Sequence, residues 1–557
     1  MTKSVKAAAA DRKVVLTLES DQGFAYSLRP ARQDRLAREA ASIYFGEENV
    51  QKILGTLHRS KISYEALMED LFEYERPRVR SMREDPSYQM AFQSVRADLT
   101  CGLKEKLVPY TTGAVPNLKD FPNSKSPGLP WKLAGYRSKK EVIQVPENVS
   151  NNRIMWHHIS AGRKVILPDV CLFARPQIAK IDKQKIRAVW GYPLDVYMEE
   201  ARFFYPIMDY LKSDRHKFPI AYGFEMAHGG MQAVNSMLIR NPDSKFVVLD
   251  WSKIDKTIQP WLIRDCFLIL SELIDFGKVL DSDGKTWKVR EWRSIRRWRY
   301  MINYFINTPV RTCKGERFLI KGGVPSGSCF TNLIDSIVNL LVIRYLSYET
   351  LGQYPKGELI LGDDAAIVVQ GTMNLEDWAA LALEKFGMVI NVSKSYVTTN
   401  PRNVHFLGHF NADGIPFKNQ DFLIASFIQP EYSRRTAAEA AAAALGQLWT
   451  SFDPKYATKW FNIINYIADW DDITLSEVVI HLRNHHFRHK YLGHVGIDAT
   501  TITIPVPTNE GLVLEVIPPL TCPRQIIDRK YDYLALWRDT QKFWYIEKPL
   551  LDEQMEE

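Results

Sequence analysis

The sequence predicts an α+β fold centred on an antiparallel sheet with helices on one face. Residues 246–250 are an apolar run of strand length. Residues 359–369 are two apolar runs on either side of a polar Gly-Asp-Asp turn, a pattern typical of a hairpin. Residues 375–386 carry apolar side chains at helical spacing. The order strand, helix, hairpin, helix, strand is that of a sheet packed against helices.

The remaining elements of this order follow from local patterns. Residues 327–346 are apolar and of helical length, and residues 388–392 are a candidate strand. Residues 437–445 (AAEAAAAAL) form a helix with Thr436 as its cap, because alanine has the highest helix propensity. About 240 residues of mixed character precede this centre. After residue 410 the chain becomes largely helical, apart from a Pro-rich β-like stretch at 501–519.

Composition sets broad limits on function. The 557 residues are enough for several sub-domains. The net charge of +7 permits a polyanionic partner without requiring one. The six cysteines are too sparse for a disulfide scaffold, and none are paired at a metal-ligand spacing, which indicates a reducing compartment. We expect neither a secretory signal nor a membrane span, since no apolar run has the necessary length.

Three carboxylates form the candidate catalytic centre. Gly362-Asp363-Asp364 lies at the tip of the predicted hairpin, where Gly and Asp are also ordinary turn residues. Two adjacent acids on an apolar hairpin repel each other and are better tolerated with a cation and a third acid. Asp250 supplies that acid if its strand neighbours the hairpin. The three could then hold two divalent ions, whereas Asp255 could contact the sugar of an incoming nucleotide.

A glycine-rich loop and the helix after it form a second candidate site. Residues 322–331 (GGVPSGSCFT) predict a tight loop followed by a helix, which taken alone is the simpler interpretation. Ser326, Thr331, Asp335 and Asn339 then follow at nearly helical steps and put polar groups on one face of an apolar helix. Burying them costs free energy unless a partner bonds them. A ribose 2′-hydroxyl would do so, and it distinguishes RNA from DNA.

Together these segments resemble the palm of viral RNA-dependent RNA polymerases, and in detail those of partitiviruses. Seven motifs match in the order that the family uses, between residues 126 and 409. Each motif alone would be a weak signal, but seven motifs in order are very specific. The motifs do not extend into residues 1–125 and 410–557, which the resemblance covers only by inference. The motifs are Ser126-Pro-Gly-Leu-Pro-Trp131, Lys185-Ile-Arg187-Ala-Val-Trp-Gly191, Asp250-Trp251-Ser252 with Asp255, Gly323-Val-Pro-Ser-Gly-Ser-Cys-Phe-Thr331, Gly362-Asp363-Asp364, Asn391-Val-Ser-Lys394-Ser395 and Phe406-Leu-Gly-His409.

The resemblance implies a right-hand polymerase with fingers, an antiparallel-sheet palm and a mainly helical thumb. Residues 1–100 would bridge fingers and thumb, and residues 101–240 would form the fingers, with an insertion near 265–315. Residues 241–420 would form the palm with the catalytic motifs. Residues 421–557 would form the thumb and the C-terminal region.

The resemblance also implies roles for single residues. Asp250 and Asp363 would bind the metal ions with Asp364 assisting, and Lys394 would be the general acid for pyrophosphate. Lys185 and Arg187 would neutralise the triphosphate. The remaining implied contacts are with substrate, by Asp255, Ser326, Gly327, Thr331, Asp335 and Asn339, and with template, by Ser126, Pro127 and Gly128. Asp335 departs from the Asn of many positive-strand polymerases, and an ionised carboxylate cannot donate a hydrogen bond.

The implied function is replication and transcription of a double-stranded RNA viral genome with primer-independent initiation. Nucleoside triphosphates, an RNA template and double-stranded RNA product, two Mg²⁺ or Mn²⁺ ions and a viral capsid protein would be its ligands and partners. The virion interior or the host cytoplasm would be its location. Two alternatives stay open: a catalytically inactive palm that binds RNA or acts as a scaffold inside a capsid, and a reverse transcriptase-like polymerase. The second usually has an aromatic-x-Asp-Asp turn and a bulky sugar gate, whereas this chain has Leu-Gly-Asp-Asp at residues 361–364 and Asp255 at the gate.

Three further patterns have simpler interpretations. The histidines of residues 481–494 (HLRNHHFRHKYLGH) could bind zinc, but neighbouring Arg and Lys oppose a cation and favour a basic surface along RNA. Residues 287–300 (WKVREWRSIRRWRY) could bind single strands, yet we favour an amphipathic helix with Trp side chains in the core. Gly284-Lys285-Thr286 lacks the preceding Gly of a phosphate-binding loop, because Val279 stands there.

Overall fold

The computed structural model describes residues 13–213, 218–489, 492–493 and 496–503. These residues form an α+β structure, as predicted, with helices around several antiparallel sheets. Its strands are β1 (Val15–Leu18), β2 (Leu57–Arg59), β3 (Val170–Pro176), β4 (Ile178–Lys180), β5 (Ile186–Gly191), β6 (Lys245–Val248), β7 (Lys278–Leu280), β8 (Thr286–Lys288), β9 (Asn307–Arg311), β10 (Arg317–Lys321), β11 (Gly357–Leu361), β12 (Asp364–Val369), β13 (Tyr396–Thr398), β14 (His405–Phe406), β15 (His409–Ala412) and β16 (Ile415–Phe417).

The helices account for most of the remaining described residues. They are α1 (Arg35–Phe45), α2 (Glu47–Thr56), α3 (Tyr64–Phe72), α4 (Pro86–Thr100), α5 (Lys139–Ile143), α6 (Pro146–Ser160), α7 (Leu194–Ser213), α8 (Gly230–Ile239), α9 (Ile254–Thr257), α10 (Pro260–Glu272), α11 (Glu291–Ile306), α12 (Thr331–Leu351), α13 (Leu375–Phe386), α14 (Gln420–Ile428), α15 (Ala437–Ser451), α16 (Pro454–Trp470) and α17 (Leu475–Asn484).

The central sheet has the strand order β11-β12-β6-β13, and all of its pairings are antiparallel. Its hairpin β11–β12 confirms the hairpin predicted at residues 359–369. Helix α13 has the predicted bounds. Helix α12 begins at Thr331, four residues after the predicted start, because residues 327–330 still belong to the loop.

Helices cover both faces of the central sheet, so the prediction of helices on one face is wrong. Along β12, Ile367 and Val369 belong to the large core that includes α12, whereas Ala366 and Val368 belong to a second core with α8. The run of apolar residues in β12 has no polar alternation, which is typical of a strand buried on both faces.

The strand predicted at residues 388–392 is also wrong. Ile390 makes only an isolated bridge to Trp251. The amides of Lys394 and Ser395 then donate to the carbonyl of Asn391 and close a turn. The paired strand β13 therefore starts after this turn, at Tyr396.

A second sheet has the strand order β1-β10-β9-β3-β5, with β3 and β9 parallel and the other pairs antiparallel. Its edge strand β5 alternates buried and outward residues: Ile186, Ala188 and Trp190 are buried, and Arg187 is exposed. This alternation is what presents Arg187 outside the core that surrounds the strand.

The C-terminal part of the described chain is mainly helical and shares a core with the N-terminal helices. Helix α15 confirms the helix predicted at residues 437–445 but continues to Ser451, and the hydroxyl of Thr436 accepts a hydrogen bond from the Glu439 amide at its start. Ala37, Ala40 and Ala41 of α1 lie in the same core. The predicted β-like stretch at 501–519 lies outside the described residues after 503.

The N-terminal segment contacts two different parts of the molecule. Strand β1 pairs with β10, and β2 pairs with β4, whereas α1 packs with the C-terminal helices. The domain boundaries proposed at residues 100, 240 and 420 stay predictions. The five cysteines among the described residues are free. No helix in the described ranges is long and apolar enough to cross a membrane.

Candidate active site

The pairing of β6 with β12 brings the three predicted carboxylates to one end of the central sheet. The register pairs Val248 with Ala366, so continuing both strands by two residues sets Asp250 opposite Asp364. The strands are thus sheet neighbours, as the carboxylate hypothesis required. On the other side of β6, the hydroxyl of Ser395 accepts a 2.8 Å hydrogen bond from the Asp250 amide and fixes the end of the strand.

The glycine of the hairpin turn is held by side chains of α12. Gly362 has φ of +63°, a conformation that favours glycine. Its amide donates to the Ser336 hydroxyl at 2.7 Å, and its carbonyl accepts from the Asn339 amide at 2.9 Å. Trp251, next to Asp250, donates to the other end of Asn339 at 2.9 Å. The first and third motifs are therefore joined through the helix of the second.

The carboxylates of the turn repel one another. Burial, together with the charges of Asp363 and Asp250, raises the pKa of Asp364 to about 7. The described residues contain no ready-made group of three carboxylate, imidazole or thiolate side chains that could hold a metal ion. The donor chemistry fits one all the same, since Mg²⁺ prefers carboxylate oxygens and a divalent ion would relieve this repulsion.

Basic side chains surround the three acids. Lys185 precedes β5, Arg187 lies on it, and Lys394 lies in the turn before β13. Partial removal from water, with the charges of Lys394 and Arg187, lowers the pKa of Lys185, while Asp250 and Asp363 act in the opposite direction. Cationic side chains from two sheets thus lie within electrostatic range of the carboxylates.

Two further acids lie beside this centre, Asp255 in α9 and Asp335 in α12. Both are buried, and burial raises the pKa of Asp255 and holds that of Asp335 well above its usual range. Arg187 opposes both shifts. The Oδ1 atom of Asp335 has no hydrogen-bond partner among the described residues, which leaves a buried polar atom in need of one.

The loop before α12 packs tightly against β5. The Ser326 hydroxyl donates to the Ala188 carbonyl at 3.3 Å. A Cβ atom on Gly327 would stand 1.6 Å from the Trp190 carbonyl oxygen, so only glycine fits there. The Thr331 hydroxyl donates to the Pro325 carbonyl at 2.5 Å and closes the loop.

The structure corrects the prediction that Asn339 contacts substrate. Its side chain is fully buried, and both ends of its amide are bonded to Trp251 and Gly362 within the protein. The helical spacing suggested a sugar contact for Asn339, but this residue lies deeper in the protein, behind the turn at Gly362. Asp335, one turn earlier in the chain, keeps the free acceptor atom.

The predicted template loop packs onto the end of β5. The Pro127 carbonyl accepts a hydrogen bond from the Leu194 amide, and a Cβ on Gly128 would lie 2.8 Å from the Tyr192 carbonyl oxygen. Both residues are buried, whereas Ser126 is half-buried and its carbonyl accepts from the ammonium of Lys139 at 2.6 Å. Among the three predicted template residues, Ser126 is therefore the one with exposed surface.

Comparison with protein families matches residues 38–437 to the viral RNA-dependent RNA polymerases. This chain belongs to that family. The matched range contains every motif described above, from Ser126 to His409.

Curated relatives come from several viruses. The RNA-directed RNA polymerase of Atkinsonella hypoxylon virus is 29% identical over 50% of this chain and 47% of its own length. That of White clover cryptic virus 1 is 24% identical over 56% of each chain. That of Cryptosporidium parvum virus 1 is 25% identical over 61% of this chain and 64% of its own. The matches thus span less than two thirds of each relative.

Solved viral polymerases share the right-hand fold. The polymerase of a human picorbirnavirus superposes with a TM-score of 0.58 at 14% identity, over 92% of this chain and 96% of the other. A Sicinivirus polymerase gives a TM-score of 0.61 at 14% identity, over 86% and 99%. The predicted right-hand fold class, with an antiparallel-sheet palm, is therefore confirmed.

Two residues of this family member were missed at the sequence level. Ser336 bonds the Gly362 amide, and Glu200 of α7 accepts hydrogen bonds from the Ser328 hydroxyl at 2.6 Å and the Cys329 amide at 3.2 Å. Burial raises the pKa of Glu200 to about 8. A carboxylate among many apolar helix residues was the sequence signal for Glu200. The loop that it bonds lies 128 residues further along the chain, so the sequence alone did not indicate its partner.

The histidine cluster is not arranged as a zinc site in the described part of the chain. His481 and His485 stack with ring centroids 4.2 Å apart, and the described residues offer no three-ligand group. His494 lies outside the described residues. The Gly284-Lys285-Thr286 segment forms the turn of the β7–β8 hairpin.

The favoured interpretation of residues 287–300 is half wrong. They form β8 and α11, and Trp298 is buried in the large core as expected. Trp287 and Trp292, however, remain 47% and 49% exposed.

Proposed function

We propose that this chain is an RNA-directed RNA polymerase that joins nucleoside triphosphates on an RNA template. The observation that carries the proposal is the convergence of Asp250 and Asp363 across paired strands, with Lys185 and Lys394 beside them. Acids and bases from separate parts of the chain meet there, which suits a phosphoryl-transfer centre.

Two divalent ions, Mg²⁺ or Mn²⁺, would be held by Asp250 and Asp363, with Asp364 assisting. When bound, such ions activate the attacking hydroxyl and neutralise charge on the phosphates. The crowding that raises the pKa of Asp364 supports this assignment, because a cation would stabilise the ionised form.

The cationic residues would act on the triphosphate. Lys185 and Arg187 would neutralise its charge. Asp250 and Asp363 act to raise the pKa of Lys185, and Arg187 acts to lower that of Asp255, so both cations lie within electrostatic range of the acids. Lys394 would donate a proton to the leaving pyrophosphate, a role that suits an ammonium held near the site.

Sugar selection would depend on Asp255, Ser326 and Asp335. The free Oδ1 of Asp335 can accept a hydrogen bond from a ribose 2′-hydroxyl, which deoxyribose lacks. Gly327 and Thr331 would shape the loop that presents Ser326. Ser126, with Pro127 and Gly128 behind it, would contact the template.

The resemblance to partitiviruses supports a wider setting for this activity. The chain would replicate and transcribe a double-stranded RNA genome, initiate strands without a primer and associate with a viral capsid protein. It would work in the virion interior or the host cytoplasm. Each of these is a proposal that follows from the family and not from the site.

The test is RNA synthesis by purified protein on single-stranded RNA with Mg²⁺ and nucleoside triphosphates. Asp363→Ala should lower turnover at least about 10³-fold while RNA binding persists, because it removes an ion ligand and leaves the fold intact. Asp377→Ala, which removes an exposed carboxylate on α13, is the matched control and should keep full activity. Chelation by EDTA should stop synthesis, and Mg²⁺ or Mn²⁺ should restore it.

Other outcomes would identify the alternatives. Near-normal turnover of Asp363→Ala would refute the metal assignment. RNA binding without divalent binding in calorimetry would indicate an inactive scaffold. Preference for deoxynucleotides would indicate a reverse transcriptase-like enzyme.

A further inference from the structure

A surface on the β8–α11 segment combines exposed aromatic rings with basic side chains. Residues 285–292 are exposed throughout, including Trp287 and Trp292. We call residues 285–296 the Trp287–Trp292 surface. None of them belongs to the candidate active site.

The charge of this surface is strongly positive. Residues 285–296 contain five basic side chains and a single acid, Glu291; the basic residues are Lys285, Lys288, Arg290, Arg293 and Arg296. Arg297 is buried and paired with Glu199, so it does not count toward the surface. Within the described ranges, no salt bridge engages Lys285, Lys288 or Arg290. These three cations are thus available to an anionic partner.

The two indole rings are flanked by cations. The Lys285 ammonium lies over the Trp287 ring, 3.9 Å from its centroid, and the guanidinium groups of Arg293 and Arg296 lie 5.3 and 5.1 Å from that of Trp292. Arg296 is itself anchored by donating to the Ser160 carbonyl at 3.1 Å. Rings bordered by cations can stack a base while a neighbouring charge meets its phosphate.

Folding does not explain the exposed rings. Trp298, one and a half turns further along α11, already anchors the helix among Phe203, Phe267 and Phe276. Half-exposed large aromatics on a basic surface are instead typical of a binding surface.

We propose that the Trp287–Trp292 surface binds single-stranded RNA outside the active site, by stacking bases on Trp287 and Trp292. Lys285, Lys288 and Arg290 contact the phosphates. A single strand fits this chemistry better than a duplex, because its base faces are open to stacking. An acidic protein would use the cations but has no need of the two exposed indoles.

The test measures binding of a fluorescein-labelled 12-nucleotide oligouridylate to the full chain by anisotropy, with 4-thiouridine photo-crosslinking to locate the contact. The wild-type protein should crosslink within residues 285–296. The double variant Trp287→Ala with Trp292→Ala should lose that crosslink and weaken binding about five- to fiftyfold. A 12-base-pair duplex should bind the wild type more weakly than the single strand.

The matched control is Trp470→Ala, which removes an even more exposed indole, 62% exposed, from the end of α16 beside Asp469 and Asp471. It should leave both affinity and crosslinks unchanged. Equal thermal midpoints of all variants would show that none has lost its fold.

Two results would overturn the proposal. One is unchanged affinity and crosslinking in the double tryptophan variant. The other is loss of binding only in the triple variant Lys285→Gln with Lys288→Gln and Arg290→Gln, which would indicate that charge alone holds the strand, without base stacking. Since these variants leave the active site intact, loss of oligonucleotide binding is distinguishable from absence of RNA synthesis.

Discussion

Gly362 illustrates how single residues set the geometry of the proposed catalytic turn. Ser336 accepts a hydrogen bond from the Gly362 amide, and Asn339 donates one to the Gly362 carbonyl. The positions of the carboxylates that follow Gly362 therefore depend on α12. Small displacements at reacting groups cost large factors in rate, which makes such contacts matter for chemistry as well as for stability.

Ser336→Ala should lower turnover, and a second buried serine of the same helix provides the control. Ser347 is equally buried and donates to the Gln353 carbonyl at 2.6 Å, away from the turn. Each substitution should cost about 1–2 kcal/mol of stability through a lost buried hydrogen bond. Only Ser336→Ala should also lower kcat, by about tenfold or more, with little change in KM. Equal kcat in both variants would refute a positioning role.

Glu200 should make the stability of the protein depend on pH. Its pKa is raised from 4.5 to about 8 in the folded state, so the folded protein holds a proton that the unfolded chain releases. Stability from this group is fully present below pH 4.5 and falls as pH rises to about 8. Glu200→Gln, which mimics the protonated acid, should be more stable than wild type above pH 8 and similar near pH 4.5. Thermal midpoints across this range would measure the difference; parallel curves would contradict it.

At the scale of elements, the loop between β10 and α12 is defined by how closely it approaches β5. The loop and strand share backbone contacts at Gly327 and Ser326, and Glu200 holds the next two residues from behind. The loop proposed to contact the sugar is therefore fixed by two elements that come from far upstream in the chain.

Gly327→Ala should displace this loop and abolish most activity. The added methyl would collide with the backbone oxygen of Trp190, which cannot move without disturbing β5. Turnover should fall at least about 100-fold, and discrimination between ribo- and deoxynucleotides should weaken. Gly113→Ala, where a Cβ meets nothing within 4 Å, is the control and should behave as wild type. The ratio of kcat/KM for ribonucleotides to that for deoxynucleotides would measure this loss of discrimination.

At the scale of the whole molecule, the N-terminal segment joins regions distant in sequence. The guanidinium of Arg59 donates to the Gln429 carbonyl at 2.8 and 2.9 Å and to the Pro176 carbonyl at 3.1 Å. It thereby links the end of β3 to the residue after α14. Asp34 and Arg434 form a further pair across the same boundary, at 2.9 Å.

Arg59→Ala should destabilise this junction by about 1–3 kcal/mol, because it leaves partly buried carbonyls without donors. Amide hydrogen exchange should increase in α14 and in the N-terminal helices before it increases in the central sheet. Arg80→Ala breaks only an exposed ion pair with Glu84 and should change neither stability nor exchange. Uniform exchange throughout the Arg59→Ala variant would argue against a local junction.

Local patterns in the sequence predicted the hairpin, the bounds of α13 and the strand of Asp250 beside the hairpin well. They failed where burial depended on distant segments. The second face of the central sheet is covered by α8, whose contacts arise from residues more than 100 positions from β12. Asn339 and Asp335 have similar neighbours in the helical sequence. They differ because Gly362 and Trp251, which are distant in the chain, bond both ends of the Asn339 amide.

The position of β6 between two partners limits how this gene can tolerate added codons. Because successive residues of a strand face opposite sides, one residue inserted into Lys245–Val248 would turn Asp250 away from the hairpin acids or break both pairings. The exposed turn at Gly135 has no such partner close to its Cβ position. In a library of single-codon insertions, replication-competent clones should therefore be absent across residues 245–250 and common near residue 135.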